Sequence, residues 1–218
     1  MTGIEPNVEH VRYRIAAACA RAERPPTSVT LCAVSKGHPP DAIRAAYAAG
    51  LRDFGENYVQ EMLAKATQLA DLDIRWHFVG HVQRNKAKDV AARAALVHSV
   101  DSRALAEALD RRAEASLPVL VQVNTGDETT KAGVAWDEVP ALVEAIRGLP
   151  RLVCTGLMAI PPPGEDNRAR FRELAALAGR LELPQLSMGM SDDFEVAIEE
   201  GATIVRVGRA IFGARPVT

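Results

Sequence analysis

Val29-Thr-Leu-Cys-Ala-Val-Ser-Lys36 is a run of β-forming residues that ends at a lysine, with Gly37, Pro39 and Pro40 directly after it. Glycine and proline interrupt strands, so the run predicts a short buried strand with Lys36 at its carboxyl end. The same order, a strand-like run followed by a helical pattern, recurs along the rest of the chain. This alternation is typical of α/β folds built on a parallel sheet.

Eight strand-like runs are predicted along the chain. They lie at 29–34, 52–55, 75–79, 96–100, 118–123, 152–158, 185–188 and 203–207. Helical patterns separate them at 41–49, 58–69, 85–92, 102–115, 137–147, 166–181 and 192–200. Several of these helices open on or near Asp, Asn or Ser, the residues preferred as N-caps. A further amphipathic helix, over residues 7–24, precedes the first strand.

Eight strands that alternate with helices through mostly short connections predict a (β/α)8 barrel, or TIM barrel, with an extra N-terminal helix. A doubly wound open sheet is the alternative, but no glycine-rich dinucleotide-binding motif follows the first strand. No linker, low-complexity tract or repeat interrupts the chain, so residues 1–218 are expected to form a single domain.

The composition argues against several kinds of partner. The 26 Lys and Arg residues nearly balance the 28 Asp and Glu residues, so neither a nucleic acid nor a membrane surface is indicated. The three cysteines are an odd number in apolar contexts, and no Cys/His spacing resembles a metal site. The N-terminus has no signal-peptide pattern, and no stretch reaches the length of a membrane span. We therefore expect a cytoplasmic protein.

Lys36 is the first candidate for chemistry. In a barrel of this kind the active site lies at the carboxyl ends of the strands, which is where Lys36 is predicted. Desolvation of a lysine at such a position depresses its pKa, and the neutral amine can then attack a carbonyl to form a Schiff base. A lysine that only extends its amine to solvent is the alternative interpretation.

Two glycine-containing loops follow the seventh and eighth strands. Ser187-Met-Gly-Met-Ser-Asp192 leads into a helix, and Arg206-Val-Gly-Arg-Ala-Ile-Phe-Gly213 ends in a helical turn. Glycine lets main-chain N–H groups approach an anion, and these two loops are the recurrent phosphate site of such barrels. Both glycines could also serve only as tight turns. A phosphate site together with a strand-one lysine suits one aldehyde cofactor in particular, pyridoxal phosphate.

With these residues in view, the chain resembles the family of the pyridoxal phosphate homeostasis proteins. The shared motifs are Ala33-Val-Ser-Lys36, Phe54-Gly-Glu-Asn-Tyr-Val-Gln-Glu61, Trp76-His-Phe-Val-Gly80, Gln83-Arg-Asn-Lys86, Lys131-Ala-Gly133, Gly156-Leu-Met-Ala-Ile160, Leu186-Ser-Met-Gly-Met-Ser-Asp-Asp193 and Val205-Arg-Val-Gly-Arg-Ala-Ile-Phe-Gly213. The resemblance implies a barrel like the N-terminal domain of alanine racemase, with pyridoxal phosphate held as an internal aldimine.

The resemblance also implies a set of cofactor-binding residues. Lys36 would form the Schiff base, Asn57 would lie beside the pyridine ring, and Arg206 would lie near the pyridine nitrogen. The phosphate contacts would come from Ser187, Gly208 and Arg209. Arg209 stands where the family usually has Thr or Ser, so a longer, charged side chain replaces a hydroxyl at that position.

Structural roles remain the alternative at some of these positions. Asn57 could instead cap the helix predicted from Tyr58. His77 lies inside an apolar strand and is interpreted as a hydrogen-bonded core histidine rather than an acid or base.

The implied site favours binding over catalysis. An arginine beside the pyridine nitrogen would keep that nitrogen unprotonated and weaken the ring as an electron sink. Racemisation also needs a second acid or base on the opposite face of the substrate, and the three tyrosines fall on predicted helices. The favoured function is a non-enzymatic carrier that acts in cofactor homeostasis and passes pyridoxal phosphate to apoenzymes.

Two other functions remain open. A low-activity pyridoxal-phosphate-dependent amino-acid racemase is the first alternative, and a Schiff-base aldolase that uses Lys36 on a phosphorylated sugar is the second. The sequence lacks the second domain through which alanine racemases dimerise, so we expect a monomer.

Overall fold

Eight parallel strands close into a barrel in the computed structural model, which describes residues 3–126, 132–162 and 166–215. Each strand pairs with the next along the chain, and the eighth pairs with the first. The strands are β1 Thr30–Val34, β2 Asp53–Glu56, β3 Arg75–Phe78, β4 Leu96–Val100, β5 Leu117–Val123, β6 Leu152–Ala159, β7 Gln185–Ser187 and β8 Ile204–Val207. Lys131, which belongs to one of the quoted motifs, lies outside the described residues.

Helices surround the barrel. They are α1 Ile4–Arg21, α2 Pro40–Ala48, α3 Val59–Gln68, α4 Ala87–Ala91, α5 Arg103–Asp110, α6 Val139–Arg147, α7 Arg168–Arg180, α8 Phe194–Glu199 and α9 Arg209–Phe212. Short 3-10 turns lie at Pro26–Ser28, Arg84–Lys86 and Trp136–Glu138. The predicted TIM barrel with an extra N-terminal helix is confirmed, and the open-sheet alternative is wrong because β8 closes onto β1.

The N-terminal helix α1 is bonded to α8 and α9, near the other end of the chain. Arg14 and Arg21 on α1 form ion pairs with Glu195 and Glu199 on α8. The Asn7 side-chain amide donates to the main-chain oxygen of Ile211 on α9, at 2.9 Å. The apolar face of α1 is buried, and the helix packs against α2, α8 and α9.

The helix starts differ from the predicted capping pattern. Among the helices that the structure describes, only α5 has a side-chain N-cap, with Ser102 accepting from the Leu105 N–H. Pro39 precedes α2, and Asp41 lies inside its first turn, where the helix dipole favours a carboxylate. Asp41 is therefore a first-turn charge rather than an N-cap.

The barrel interior holds an apolar cluster together with buried polar side chains. Five buried side chains form the interior cluster: Cys32, Leu96, Leu120, Met158 and Ile204. A second, larger core lies between the barrel and the helices. Full burial of one such aliphatic side chain contributes about 1.5–3 kcal/mol, so these two layers hold the strand ends in fixed positions.

Candidate functional site

A cavity of about 430 Å³ lies at the carboxyl end of the barrel. It is lined by Val34, Lys36, His38, Asn57, Val79, Ile160, Met190, Ser191, Asp192, Arg206, Gly208, Arg209, Gly213, Ala214 and Arg215. Five of the six residues predicted from the sequence are among them, and Ser187 is the exception. The loops after β1, β2, β7 and β8 thus meet at one place, as the barrel interpretation requires.

Lys36 follows β1 by two residues and is half-buried at the cavity. Burial lowers the pKa of the Lys36 amine, and the positive charge of Arg215 lowers it further, against the opposing charge of Glu56. A larger fraction of the amine is therefore neutral than for a solvated lysine, and only the neutral amine can attack a carbonyl.

Both neighbours of Lys36 are held by side chains from the next βα unit. The Ser35 hydroxyl donates to Glu56 Oε1, and the main-chain N–H of Gly37 donates to Glu61 Oε1, each at 2.6 Å. Gly37 has a φ of +73°, a region that favours glycine, and a Cβ there would lie 3.2 Å from Arg215 Cδ. The main chain that carries Lys36 is thereby fixed on both sides.

A second lysine lies beneath this segment with its amine fully engaged. Lys65 Nζ donates to the Ser35 carbonyl at 2.6 Å, to Glu56 Oε1 at 2.6 Å and to Glu61 Oε1 at 2.7 Å. Lys65 is 4% exposed and Glu56 is fully buried. Burial raises the pKa of Glu56, although the hydrogen bond and charge of Lys65 act in the opposite direction.

Asn57 follows β2 and does not cap a helix. The N-cap of α3 is Tyr58, without a side-chain hydrogen bond, so the capping alternative is wrong. The Asn57 Oδ1 atom is buried and finds no hydrogen-bond partner among the described residues. A buried acceptor without a partner costs free energy, and at the cavity wall a bound molecule can satisfy it.

The loop after β7 is held against α8 by a glycine. Gly189 has a φ of +89°, and a Cβ at this position would lie 2.6 Å from the Ala197 Cβ. Asp193 accepts from the Met190 N–H at 2.7 Å, which closes the loop. The Ser191 hydroxyl lines the cavity and accepts from the Ala210 N–H at 3.3 Å, which joins this loop to the start of α9.

The loop after β8 packs closely on the first strand. A Cβ on Gly208 would lie 3.0 Å from the Val34 carbonyl oxygen, tighter than most real contacts. Glycine is needed here because the chain turns from β8 into α9 directly over the end of β1. This close approach keeps Gly208 and Arg209 beside Lys36 at the cavity.

The cavity is rich in arginine. Arg206, Arg209 and Arg215 all line it, and Asp192 is the one acidic side chain among the described residues at its wall. Arg209 forms an exposed ion pair with Asp192. Guanidinium groups bind phosphate through charge-assisted hydrogen bonds, so the loops after β7 and β8 suit an anion.

Arg206 is the buried member of this group. It is 4% exposed, and its guanidinium donates to Ser187 Oγ at 2.6 Å and to the Ala159 carbonyl at 2.8 Å. Burial lowers the pKa of Arg206 to about 10, which still leaves it cationic at neutral pH. The guanidinium has five N–H groups, so donors remain for a molecule in the cavity.

Ser187 lies behind Arg206 rather than at the cavity wall. Its side chain is fully buried, and its hydroxyl is engaged by Arg206 and by His98 Nδ1 at 2.8 Å. The structure therefore does not bring the Ser187 hydroxyl to the wall of the cavity. Ser191, four residues further along the chain, is the hydroxyl that lines the cavity.

His77 is buried and hydrogen-bonded, as the sequence predicts. Its Nδ1 lies 2.9 Å from His98 Nε2, and its Nε2 lies 3.0 Å from Asp53 Oδ1. His77 does not line the cavity.

Sequence reasoning did not single out three cavity residues. Ser191 stands in a quoted loop, where only the direction of the side chain distinguishes it from Ser187. Arg215 lies two residues after Gly213, and a positive charge near a glycine turn is the one signal that the sequence offers for it. His38 gave no signal, because its position depends on stacking against Phe212, with ring centroids 5.1 Å apart.

The described ranges, 3–126, 132–162 and 166–215, contain neither a metal site nor a membrane-spanning helix. No cluster of three His, Cys, Asp or Glu side chains in these ranges is arranged to hold a metal ion. No helix within them combines the length and apolar character needed to cross a membrane.

Comparison with known proteins gives a consistent result. The family model described as alanine racemase, N-terminal domain, matches residues 7–216. The pyridoxal phosphate homeostasis protein of Pseudomonas aeruginosa is 50% identical over 224 residues, which cover 99% of this chain and 97% of that protein. The protein of the same name from Aquifex aeolicus is 46% identical over 220 residues, covering 95% and 96%.

A solved structure agrees with the fold. PipY of Synechococcus elongatus, solved with PLP bound, matches with a TM-score of 0.83 and 42% identity. The match covers 93% of this chain and 100% of that one.

Proposed function

This chain belongs to the family of the pyridoxal phosphate homeostasis proteins, which share the alanine racemase N-terminal domain, and we propose that it binds pyridoxal phosphate reversibly through Lys36. The observation that carries this proposal is one cavity in which a lysine of lowered pKa lies among three arginines. The bound cofactor supplies an aldehyde that attaches covalently to an amine.

The residues at the cavity fit this cofactor. Its ring carries a hydroxyl that can donate to a buried acceptor, and Asn57 Oδ1 is such an acceptor without a partner among the described residues. Its phosphate suits the exposed cations of Arg209 and Arg215 and the hydroxyl of Ser191. Val34 and Met190 provide apolar wall for the faces of the ring.

Each residue would have a distinct task. Lys36 attaches the aldehyde, Arg206 donates to the pyridine nitrogen, and Asn57 accepts from the ring hydroxyl. Contacts to the phosphate would come from Ser191, Gly208, Arg209 and Arg215. Ser187 was predicted as a phosphate contact, and its engagement with Arg206 makes Ser191 the better candidate.

We further propose that the protein stores and delivers the cofactor rather than using it in catalysis. Arg206 is cationic and buried, so a pyridine nitrogen that accepts from it stays unprotonated and the ring withdraws electrons poorly. No tyrosine among the described residues lines the cavity, and Tyr13 and Tyr58 are 74% and 59% exposed elsewhere. The recipients in this proposal are apoenzymes that need the cofactor, and the carrier acts as a monomer.

The binding proposal is tested by titration and chemical trapping. The purified protein is titrated with pyridoxal phosphate, reduced with borohydride and digested, and the peptides are analysed by mass spectrometry. We expect the pyridoxyl mass on the peptide that contains Lys36, with the peptide that contains Lys65 unmodified. An absorbance spectrum that does not change on titration would contradict the proposal.

The racemase alternative is favoured by one observation, the presence of His38 at the cavity. Burial and the charge of Lys65 lower the pKa of His38, so its imidazole is neutral at neutral pH and can accept a proton. Proton NMR of L-alanine in heavy water measures exchange of its α-proton. We expect negligible exchange, and turnover in the common enzyme range of roughly 1–1000 per second would establish the racemase instead.

A further inference from the structure

A chain of polar side chains runs through the barrel interior beneath the cavity. Arg206 Nη1 lies 2.6 Å from Ser187 Oγ, which lies 2.8 Å from His98 Nδ1. His98 Nε2 lies 2.9 Å from His77 Nδ1, and His77 Nε2 lies 3.0 Å from Asp53 Oδ1. Five residues from five different strands are thus joined by four hydrogen bonds. We call Asp53, His77, His98 and Ser187 the interior relay.

The hydrogen bonds of the interior relay can all run in one direction. The Arg206 guanidinium can only donate, so Ser187 Oγ accepts from it and is free to donate its own proton to His98 Nδ1. Burial and the charges of His77 and Arg206 lower the pKa of His98 well below its usual range, so it is neutral. With Nδ1 accepting from Ser187, His98 carries its proton on Nε2 and can donate to His77 Nδ1, and His77 Nε2 can in turn donate to Asp53 Oδ1.

The far end of the relay lies at the opposite mouth of the barrel. Asp53 begins β2, and Arg75, which begins β3, donates to both of its carboxylate oxygens. Burial alone would raise the pKa of Asp53, but hydrogen bonds from His77 and Arg75 lower it to about 2. Asp53 is therefore a fixed anion that terminates the chain of donors.

Polar groups inside a barrel are costly unless every one of them is paired. Ser187 and His98 are fully buried, and their hydrogen-bonding atoms are all used within the relay or by Arg206. Ser187 is also one of only two described groups that hold the Arg206 guanidinium, the other being the Ala159 carbonyl. Without Ser187 the guanidinium would keep a single anchor and could rotate.

We propose that Ser187 and His98, supported by His77 and Asp53, are positioning residues that fix the orientation of Arg206 towards the ring of the bound cofactor. This inference rests on the proposed function. None of the four residues lines the cavity, so they act only through Arg206.

The test is a double-mutant cycle between Ser187 and Arg206. Ser187→Ala, Arg206→Lys and the double variant are titrated with pyridoxal phosphate, and the affinity and the absorbance maximum of the bound cofactor are measured. Loss of a hydrogen bond to a charged group predicts that Ser187→Ala weakens binding by about tenfold or more. In the Arg206→Lys background the same change should have little further effect, because its target is already gone.

Controls separate positioning from folding. Thr155→Val removes a hydroxyl that donates to Gln185 Oε1 on the neighbouring strand, and it should leave affinity and spectrum unchanged. Ser187→Thr keeps the hydroxyl, so its affinity for pyridoxal phosphate should be closer to that of the wild-type protein than the affinity of Ser187→Ala is. His98→Gln should shift the absorbance maximum in the same direction as Ser187→Ala. Thermal unfolding of each unliganded variant shows whether the fold is retained.

The outcomes are distinguishable. Additive effects of Ser187→Ala and Arg206→Lys, or wild-type affinity and spectrum in Ser187→Ala, would overturn the positioning role while leaving cofactor binding intact. Failure of the wild-type protein to bind pyridoxal phosphate would instead overturn the proposed function.

Discussion

Lys36 and Lys65 lie at the same end of the barrel, and their environments differ in almost every respect. Lys65 is 4% exposed and its three N–H groups each meet an oxygen at 2.6–2.7 Å. Lys36 is half-buried, lines the cavity, and has a pKa lowered by burial and by Arg215. The Lys65 amine is engaged by three oxygens, whereas the Lys36 amine lies at a cavity where its pKa is lowered.

The difference shows that burial alone does not make a lysine reactive. Both amines lose solvent, but Lys65 has three hydrogen-bond acceptors, two of them on carboxylate side chains. Lys36 instead faces guanidinium groups, which disfavour a further positive charge. The aldehyde of a cofactor should therefore meet one nucleophile in the cavity, although a second lysine lies close by in the fold.

The largest expected effect comes from Lys36→Ala. This change removes the amine with the lowered pKa, so covalent attachment should be abolished, while weak binding through the arginines persists. Borohydride reduction followed by mass mapping measures attachment. A pyridoxyl group on Lys65 in this variant would show that its three acceptors do not protect it.

Lys65→Met should lower stability without changing the site of attachment. The substitution leaves the Glu56 carboxylate buried without its cation, and breaking a buried ion pair in this way costs about 3–5 kcal/mol. Urea unfolding measures the free energy of unfolding. Lys88→Met, at an exposed lysine on α4, is the matched control. It should change the free energy of unfolding by less than about 0.5 kcal/mol.

An unchanged free energy of unfolding in Lys65→Met would contradict the assignment of Lys65 as a structural cation. A shift of label away from Lys36 in that variant would contradict the division of tasks between the two lysines.

Arg215→Ala should slow attachment at neutral pH. Removing this positive charge raises the pKa of Lys36, and each pKa unit corresponds to about a tenfold change in the neutral fraction of the amine. We expect attachment to be slower near neutrality at saturating cofactor, measured by stopped-flow absorbance. Because Arg215 acts on the protonation of the amine, the difference in rate between Arg215→Ala and the wild-type protein should shrink as the pH rises towards the pKa of Lys36. Arg215→Lys keeps the positive charge and should react at the wild-type rate. A difference that is the same at every pH would point to a contact with the phosphate instead.

Glu61→Gln is expected to have the smallest effect. An amide oxygen can still accept from the Gly37 N–H and from Lys65, so only the charge of one acceptor is lost. We expect a decrease of about 0.5–1.5 kcal/mol in the free energy of unfolding, with label still on Lys36. A larger decrease than in Lys65→Met would show that Glu61, rather than Glu56, is the main partner of the buried amine.

The fold could be predicted because its signals are local. Runs of β-formers that end at glycine, proline or polar residues placed the eight strands within one residue of their observed bounds, from Thr30–Val34 to Ile204–Val207. Helix starts were less well predicted, because N-capping depends on a side-chain orientation that residue type alone does not set.

The site could be predicted only in part. Lys36, Asn57, Arg206, Gly208 and Arg209 follow strand ends, so the barrel itself brings them together. Ser187 and Ser191 share one loop, and the sequence could not say which hydroxyl reaches the cavity. The contact of His98 with Ser187 joins residues 89 positions apart and leaves no trace in local spacing.

The closure of β1 onto β8 has a consequence for the order in which the site is made. Lys36 is synthesised long before the arginines that line the cavity, Arg206, Arg209 and Arg215. A nascent chain holds its lysine without the cations that lower its pKa or bind a phosphate. Binding that uses both the lysine and the arginines therefore has to wait until β8 has been synthesised and has docked against β1.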